Sequence, residues 1–272
     1  MFGPYDNIDE LALFLAYYRY MGVQNFQFYV ESASPKVLNF LKKADYRTDI
    51  SIFLVSWSLP VPSNQVWDHG SLTALNDCVY QNMGDYTYIL QIDLDELIVP
   101  TEKKHSKNFS LLISDLSQAT PDTHTVPGSF VFSNTFYCEE FPRLNVSQSS
   151  NRAKSFNHVR GNITAFSSFL RTQFQWVPGV RSKVVMRPSV VESVGHHWVY
   201  YFTSNTKYIN KPVPPDMALM HHYRKCEGIR TGQLNNGHLV VDLPTKEDYS
   251  LIKISGDLIE SDIMKLRYDV IS

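Results

Sequence analysis

Over the first hundred residues the chain alternates between a helical and a strand-like hydrophobic period, and this rhythm restricts the fold more than any other feature. Ile8, Leu11, Phe14, Leu15 and Tyr18 recur at helical spacing. They follow Asp6 and Asn7, which suit a cap, and include Asp9 and Glu10, which suit a first turn. Gly22 stops that helix, and Phe26, Phe28 and Val30 then alternate as in a strand over residues 23–30. Ser34-Pro35 opens a second helix carrying Val37, Leu38, Phe40 and Leu41. Ile50 to Trp57 is a nearly continuous apolar run, the pattern of a strand covered on both faces, and Pro60 and Pro62 place a loop after it. A third helix is predicted from about Asp68 to Met83, with Leu72, Leu75 and Val79 inward and Gly84 at its end. Tyr86 to Ile92 reads as another buried strand and runs directly into Asp93-Leu94-Asp95-Glu96. Three helix–strand repeats predict an α/β fold with a mostly parallel sheet and helices on both faces. In such folds ligands bind beyond the carboxyl ends of the strands, where the acidic cluster stands.

The second half is less regular. A short helix is predicted from about Asn108 to Ser117, a strand near Gly128 to Phe132, and a polar stretch from Asn145 to Asn162. Strand signals return at Lys183 to Met186, Trp198 to Phe202 and Ala218 to His222, with proline-rich turns such as Lys211-Pro212-Val213-Pro214-Pro215 between them. No repeat or low-complexity tract interrupts residues 1–272, which read as a single domain.

Composition narrows the function. Hydrophobic residues make up 43% of the chain, enough to fill a core, and the net charge of -2 offers no electrostatic reason to bind nucleic acid or an anionic membrane surface. The 16 Tyr, 16 Phe and 4 Trp are first of all core residues, though flat amphipathic rings also suit sugar faces. Cys78, Cys138 and Cys226 show no C-x-x-C spacing and amount to neither a disulfide framework nor a zinc site; their odd number leaves at least one unpaired. Sequons at Asn108, Asn145 and Asn162 favour the secretory pathway. No stretch approaches the roughly 18 apolar residues of a membrane span, and the Met1-Phe2-Gly3-Pro4-Tyr5-Asp6 start has no basic or apolar leader region. The expectation is a cytosolic protein or one whose anchor lies outside this sequence.

Three carboxylates fall within Asp93-Leu94-Asp95-Glu96. If the chain stays extended there, Asp93 and Asp95 point to the same side, because side chains alternate with period two. Converging carboxylates repel and raise each other's pKa, a conflict that a divalent cation resolves. Hard oxygen ligands favour Mn²⁺ or Mg²⁺ over zinc. A bare D-x-D is equally the pattern of two surface aspartates in a turn; the apolar strand before it favours the metal. Phosphatases of the haloacid-dehalogenase type also carry D-x-D after a buried strand, but the continuation Glu96-Leu97-Ile98 fits them poorly.

Several stretches, in order, are similar to glycosyltransferase family 92. They are residues 17–30 (Tyr17-Tyr18-Arg19 through Gly22-Val23 to the aromatic strand), Leu75-Asn76-Asp77-Cys78-Val79-Tyr80, and residues 88–100 around Asp93-Leu94-Asp95-Glu96. Arg181-Ser182-Lys183-Val184-Val185-Met186-Arg187-Pro188, Gly195-His196-His197 and His221-His222-Tyr223-Arg224 complete the series. The resemblance implies a GT-A-like, Rossmann-type fold with its first strand lacking from this chain, since the sequence starts at about the first sheet helix. It implies a nucleotide-sugar and metal-binding half over about residues 1–105 and an acceptor-binding half over about 106–272. The implied activity is a metal-dependent, inverting transfer of a hexose, galactose in the first place, from a UDP-sugar donor to a glycan or glycoprotein acceptor. Mn²⁺ is the implied cofactor, with Mg²⁺ as substitute, and the implied setting is the lumenal face of the Golgi membrane. Carried over by position, Asp95 coordinates the metal, Asp93 contacts ribose or the metal's water shell, Glu96 ligates or orients, and His222 is the distal ligand. His197 lines the acceptor or diphosphate side, and Lys183 and Arg224 meet phosphate. Inversion needs a base at the acceptor hydroxyl, for which Glu139 and Glu140, set among aromatics, are the candidates. The alternative function is an inactive paralogue that serves as a glycan- or protein-binding module.

Overall fold

Asn7 caps the first helix, its side chain accepting from the Glu10 amide at 3.1 Å, and α1 (Ile8–Tyr20) follows. Leu11 through Tyr18 are all buried, so α1 is enclosed around most of its circumference, which is why its apolar positions are almost continuous. This is a computed structural model, and it describes residues 1, 4–62, 65–118, 124–144, 163–232 and 237–271. The polar stretch 145–162, with the sequons at Asn145 and Asn162, lies outside the described residues. After Gly22, at a φ of 94° that glycine tolerates, come β1 (Asn25–Val30), α2 (Pro35–Arg47) and β2 (Ser51–Ser56). The Ser34 side chain caps α2 by accepting from the Val37 amide at 3.3 Å. A one-turn 3₁₀ segment, Trp67–Gly70, leads into α3 (Ser71–Asn82), and β3 (Ile89–Gln91) ends at the acidic cluster.

Beyond it run β4 (Glu96–Pro100), α4 (Phe109–Gln118), β5 (Val126–Phe132), β6 (Asn134–Cys138), β7 (Leu170–Thr172) and β8 (Lys183–Met186). Then follow β9 (Val191–Val194), β10 (Val199–Phe202), β11 (Tyr208–Pro212), β12 (Ala218–Arg224), β13 (Thr245–Glu247), α5 (Ser250–Ile259) and α6 (Asp262–Leu266).

The class is α/β, but the expected mostly parallel sheet is replaced by several small mixed ones. In the front half β1 and β2 pair in parallel, from Asn25 opposite Ser51 to Val30 opposite Ser56. Strand β3 pairs antiparallel with β8, in a four-stranded sheet of order β11-β5-β8-β3. A three-stranded sheet of order β4-β12-β6 holds one antiparallel and one parallel pair. Helical and strand periods are local properties, whereas strand partners come from distant segments that the first hundred residues do not contain. Strand β2 also departs from expectation. It is an outer strand, with Phe53 50% and Leu54 46% exposed, because a continuous apolar run does not by itself specify cover on both faces.

The inner edges of β1 and β3 are separated by a cavity of about 1100 Å³ lined by consecutive residues of both, Phe26 to Tyr29 and Ile89 to Asp93. Met1 sits on the β1 edge: its amine donates to the Tyr29 carbonyl and its own carbonyl accepts from the Glu31 amide at 3.0 Å, one rung of a parallel ladder. At the other side of α1, the Tyr17 hydroxyl donates to the Ile98 carbonyl at 2.6 Å and the Tyr18 hydroxyl to the Glu96 carbonyl at 3.2 Å. These buried bonds tie β4, and with it the acidic turn, to the most enclosed helix. Among the described residues no helix is long and apolar enough to cross a membrane.

Candidate active site

The chain does not stay extended through the acidic cluster. It turns at Leu94 and Asp95, with the Glu96 amide donating to the Asp93 carbonyl at 3.2 Å and the Glu96 carboxylate accepting from the Asp93 amide at 3.1 Å. Asp93 and Asp95 are therefore dealt to different partners, where a straight strand would have aimed them together. Lys183, the first residue of β8, is carried beside the turn by the β3–β8 pairing; its Nζ lies 2.6 Å from Asp93 and 3.4 Å from Glu96. His222 is carried there by β12, in direct register with Glu96. Its Nε2 lies 3.0 Å from Asp95 Oδ2, and its Nδ1 faces Glu96 Oε1 at 3.3 Å and Asn134 Nδ2 at 3.2 Å. Asp95 is pinned from behind as well, its carbonyl accepting from the Tyr223 amide at 3.0 Å. The cluster thus forms where the two larger sheets converge.

Burial divides the roles. Glu96 is 2% exposed, and desolvation pushes its carboxyl up to about 7 even though Lys183 and His222 pull the other way. Burial opposes the charge on Lys183, but Glu96 and Asp93 outweigh it and raise the ammonium above its ordinary value. Asp93 and Asp95 remain accessible, with 65% and 32% of their side chains exposed. The Asp95–His222 pair fits a divalent ion: one hard oxygen and one imidazole nitrogen, 3.0 Å apart, comparable to the roughly 3 Å between neighbouring ligands of one octahedral ion. Glu96 against the other ring nitrogen is the carboxylate partner that ligating histidines commonly have. Among the described residues, Cys138, Glu140 and Cys226 make the one tight group of potential ligands, and its two sulfurs are joined in a disulfide. The cysteines thus form one bridge, with Cys78 left free.

Against this geometry the family comparison is decisive. The model of glycosyltransferase family 92 matches residues 1–259, from before α1 to the end of α5. The chain belongs to glycosyltransferase family 92. It is also similar, at 25% identity over 111 residues, to the β-1,4-galactosyltransferase galt-1 of Caenorhabditis elegans, a stretch covering 39% of this chain and 25% of that protein. The chain thus spans about a quarter of the length of that relative.

For this family 92 protein the remaining expected residues fall in distinct places. Glu139 and Glu140 are both exposed in the turn after β6. The Glu140 carboxylate accepts from the Cys226 amide at 2.9 and 3.0 Å and from the Glu227 amide at 2.7 Å, which lowers its pKa against the effect of desolvation. His197 is half-buried, and burial lowers its pKa. Its Nδ1 donates to the Ser182 carbonyl at 3.1 Å, leaving Nε2 as the acceptor nitrogen. Arg224, two residues past His222, lays its guanidinium over the Phe136 ring at 5.6 Å.

Three further residues beside the cluster carry no expected role from the sequence. Arg181, held at a φ of 53°, stacks on the same Phe136 at 5.7 Å and on Trp176 at 5.0 Å, and burial together with Arg224 lowers its pKa. Asn134 bonds both the Arg181 carbonyl and His222. Glu10, on α1, lies within electrostatic reach of Asp95, Glu139 and His222, and desolvation raises its carboxyl. Arg181 stands in a quoted family block, so a signal existed for it; Glu10 reads as an ordinary first-turn acid.

Proposed function

We propose that the protein transfers a hexose, with galactose favoured, from a UDP-sugar to a glycan acceptor with inversion at the anomeric carbon, in a reaction dependent on Mn²⁺ or, less well, Mg²⁺. The observation that carries the metal dependence is the 3.0 Å approach of Asp95 Oδ2 to His222 Nε2 across 127 residues of chain. Asp95 and His222 would hold the ion, and Glu96 would keep the imidazole oriented. When bound, the ion supplies a Lewis acid that draws charge from the departing diphosphate. Lys183 keeps Asp93 in place and leaves the exposed Asp93 carboxylate able to meet the donor's ribose. Arg181 and Arg224, packed on one ring beside His222, supply the positive charge that a diphosphate requires. For the acceptor proton, Glu139 is better suited than Glu140, whose oxygens already accept from two backbone amides, and the Nε2 of His197 is the other group able to receive it. Galactose is supported by the name of the C. elegans relative. The Cys138–Cys226 bridge supports an oxidising compartment, in line with the lumen of the Golgi.

Asp95→Asn tests this reading. With the fold retained by circular dichroism, the variant is expected to lose Mn²⁺ binding by calorimetry and to lose at least about a hundredfold in metal-dependent UDP-galactose turnover. Full metal affinity and full turnover in the variant would refute the ligand assignment.

A further inference from the structure

Trp67 is 72% exposed, far more than its size and chemistry favour, and it stands on a segment whose backbone is costly to hold. Asp68, His69 and Gly70 follow with φ of 47°, 53° and 72°, three successive left-handed residues of which only the glycine is at ease. The surroundings overdetermine that shape. Asp68 Oδ2 and Ser71 Oγ both approach His196 Nε2, at 3.0 and 2.7 Å, and Asp68 also accepts from the Ser71 hydroxyl. The Trp57 indole donates to the His69 carbonyl at 3.3 Å, and Gly70 is packed so closely that an added Cβ would lie 3.2 Å from Leu59. His196 in turn meets the Trp67 ring edge-on, centroids 5.0 Å apart. This ordered segment holds the Trp67 indole largely in solvent, with His196 against the ring.

The place of that display is informative. Asp68, Ser71 and His196 line the same cavity as Asp93, Asp95 and Lys183. We infer that Trp67 and Asp68 form a subsite for a neutral pyranose of the acceptor glycan, the indole covering the sugar's apolar face and the Asp68 carboxylate accepting from its hydroxyls. A pyranose has one C–H face and a rim of hydroxyls, which matches a flat ring flanked by a carboxylate and an imidazole. The Asp68 charge disfavours a diphosphate at this spot, whereas the arginine pair beside His222 favours one, so donor and acceptor are sorted by charge. The assignment rests on the reading of the Asp93–His222 cluster as the site of transfer.

Tryptophan fluorescence and calorimetry test it, with a pool of neutral N-glycans as one probe and UDP with Mn²⁺ as the other. Glycan binding is expected to perturb the emission of the unaltered protein. Trp67→Ala should weaken glycan affinity by about tenfold or more, Trp67→Phe by less, and Asp68→Asn by a similar or smaller factor. UDP affinity should stay within about twofold in all three. Because Trp67 is exposed, thermal melts should show these proteins folded. Unchanged glycan affinity in Trp67→Ala, a parallel loss of UDP affinity marking a nucleobase platform, or no glycan binding by the parent protein would each overturn the subsite. Absence of Mn²⁺-dependent donor turnover alongside Trp67-dependent glycan binding would instead remove the transfer reading and leave the subsite standing.

Discussion

Lys183 separates the upkeep of the site from its chemistry. Its side chain is 8% exposed and its ammonium bridges Asp93 and the buried Glu96. A buried ion pair contributes little net stability when whole, but removing one partner strands the other without compensation. Lys183→Met is therefore expected to destabilise the protein by about 3 kcal/mol in urea unfolding, with much of the loss recovered in Lys183→Met combined with Glu96→Gln. Equal loss in the single and double variants would argue against the pairing. At this scale the sequence identified the carboxylates and placed a lysine at the head of an apolar strand. It did not show that the lysine's charge is engaged by Asp93 and Glu96, because the β3–β8 register that brings them together is a long-range property.

Among the elements, β6 and β12 do the most to shape the site. They run in parallel with Cys138 opposite Arg224, and the Cys138–Cys226 bridge closes their carboxyl ends across 88 residues. Glu140 caps the same corner through the Cys226 and Glu227 amides. A loop of this length makes a disulfide worth about 4 kcal/mol through the unfolded chain. Reduction by dithiothreitol is expected to lower the thermal midpoint clearly, and a Cys138→Ala, Cys226→Ala variant should melt at the reduced protein's temperature and be indifferent to the reductant. Cysteine parity told in advance only that at least one thiol stays unpaired; that Cys138 and Cys226 pair and Cys78 is left follows once β6 and β12 lie side by side. The exposed β2 teaches the same lesson, since its apolar run names a strand but not the number of neighbours it has.

For the molecule as a whole, closure depends on the carboxyl-terminal helices returning to α1. Leu251 and Leu258 of α5 and Ile263 and Met264 of α6 join the core cluster that contains Leu11 and Leu15, and the buried Arg267 reaches Asp9 at 2.8 Å. Asp248 anchors the start of that return, accepting from the Ser250 amide at 3.0 Å, the Ser250 hydroxyl at 2.6 Å and Arg171 of β7 at 3.1 Å. Burial works against its charge, but His221, Ser250 and Arg171 together hold the carboxyl down at about 2. Because the folded value lies below the unfolded one, its stabilisation is complete above about pH 4 and is lost as the pH falls through about 2. Acid titration monitored by circular dichroism should therefore show a shallower acid limb, and lower stability at pH 7, for Asp248→Asn. The amino-acid sequence by itself determined the helix–strand order of the front half, the acidic cluster at the end of β3 and the family to which the chain belongs. Those follow from periodicity and from short motifs, which depend on neighbours a few residues apart. Only the tertiary structure decided that the sheets are mixed, that Asp95 meets His222 while Asp93 meets Lys183, and that the exposed Trp67 stands next to Asp68, which lines the same cavity. Such pairings are selected by burial and by the satisfaction of backbone hydrogen bonds between segments a hundred or so residues apart, and no local pattern records them.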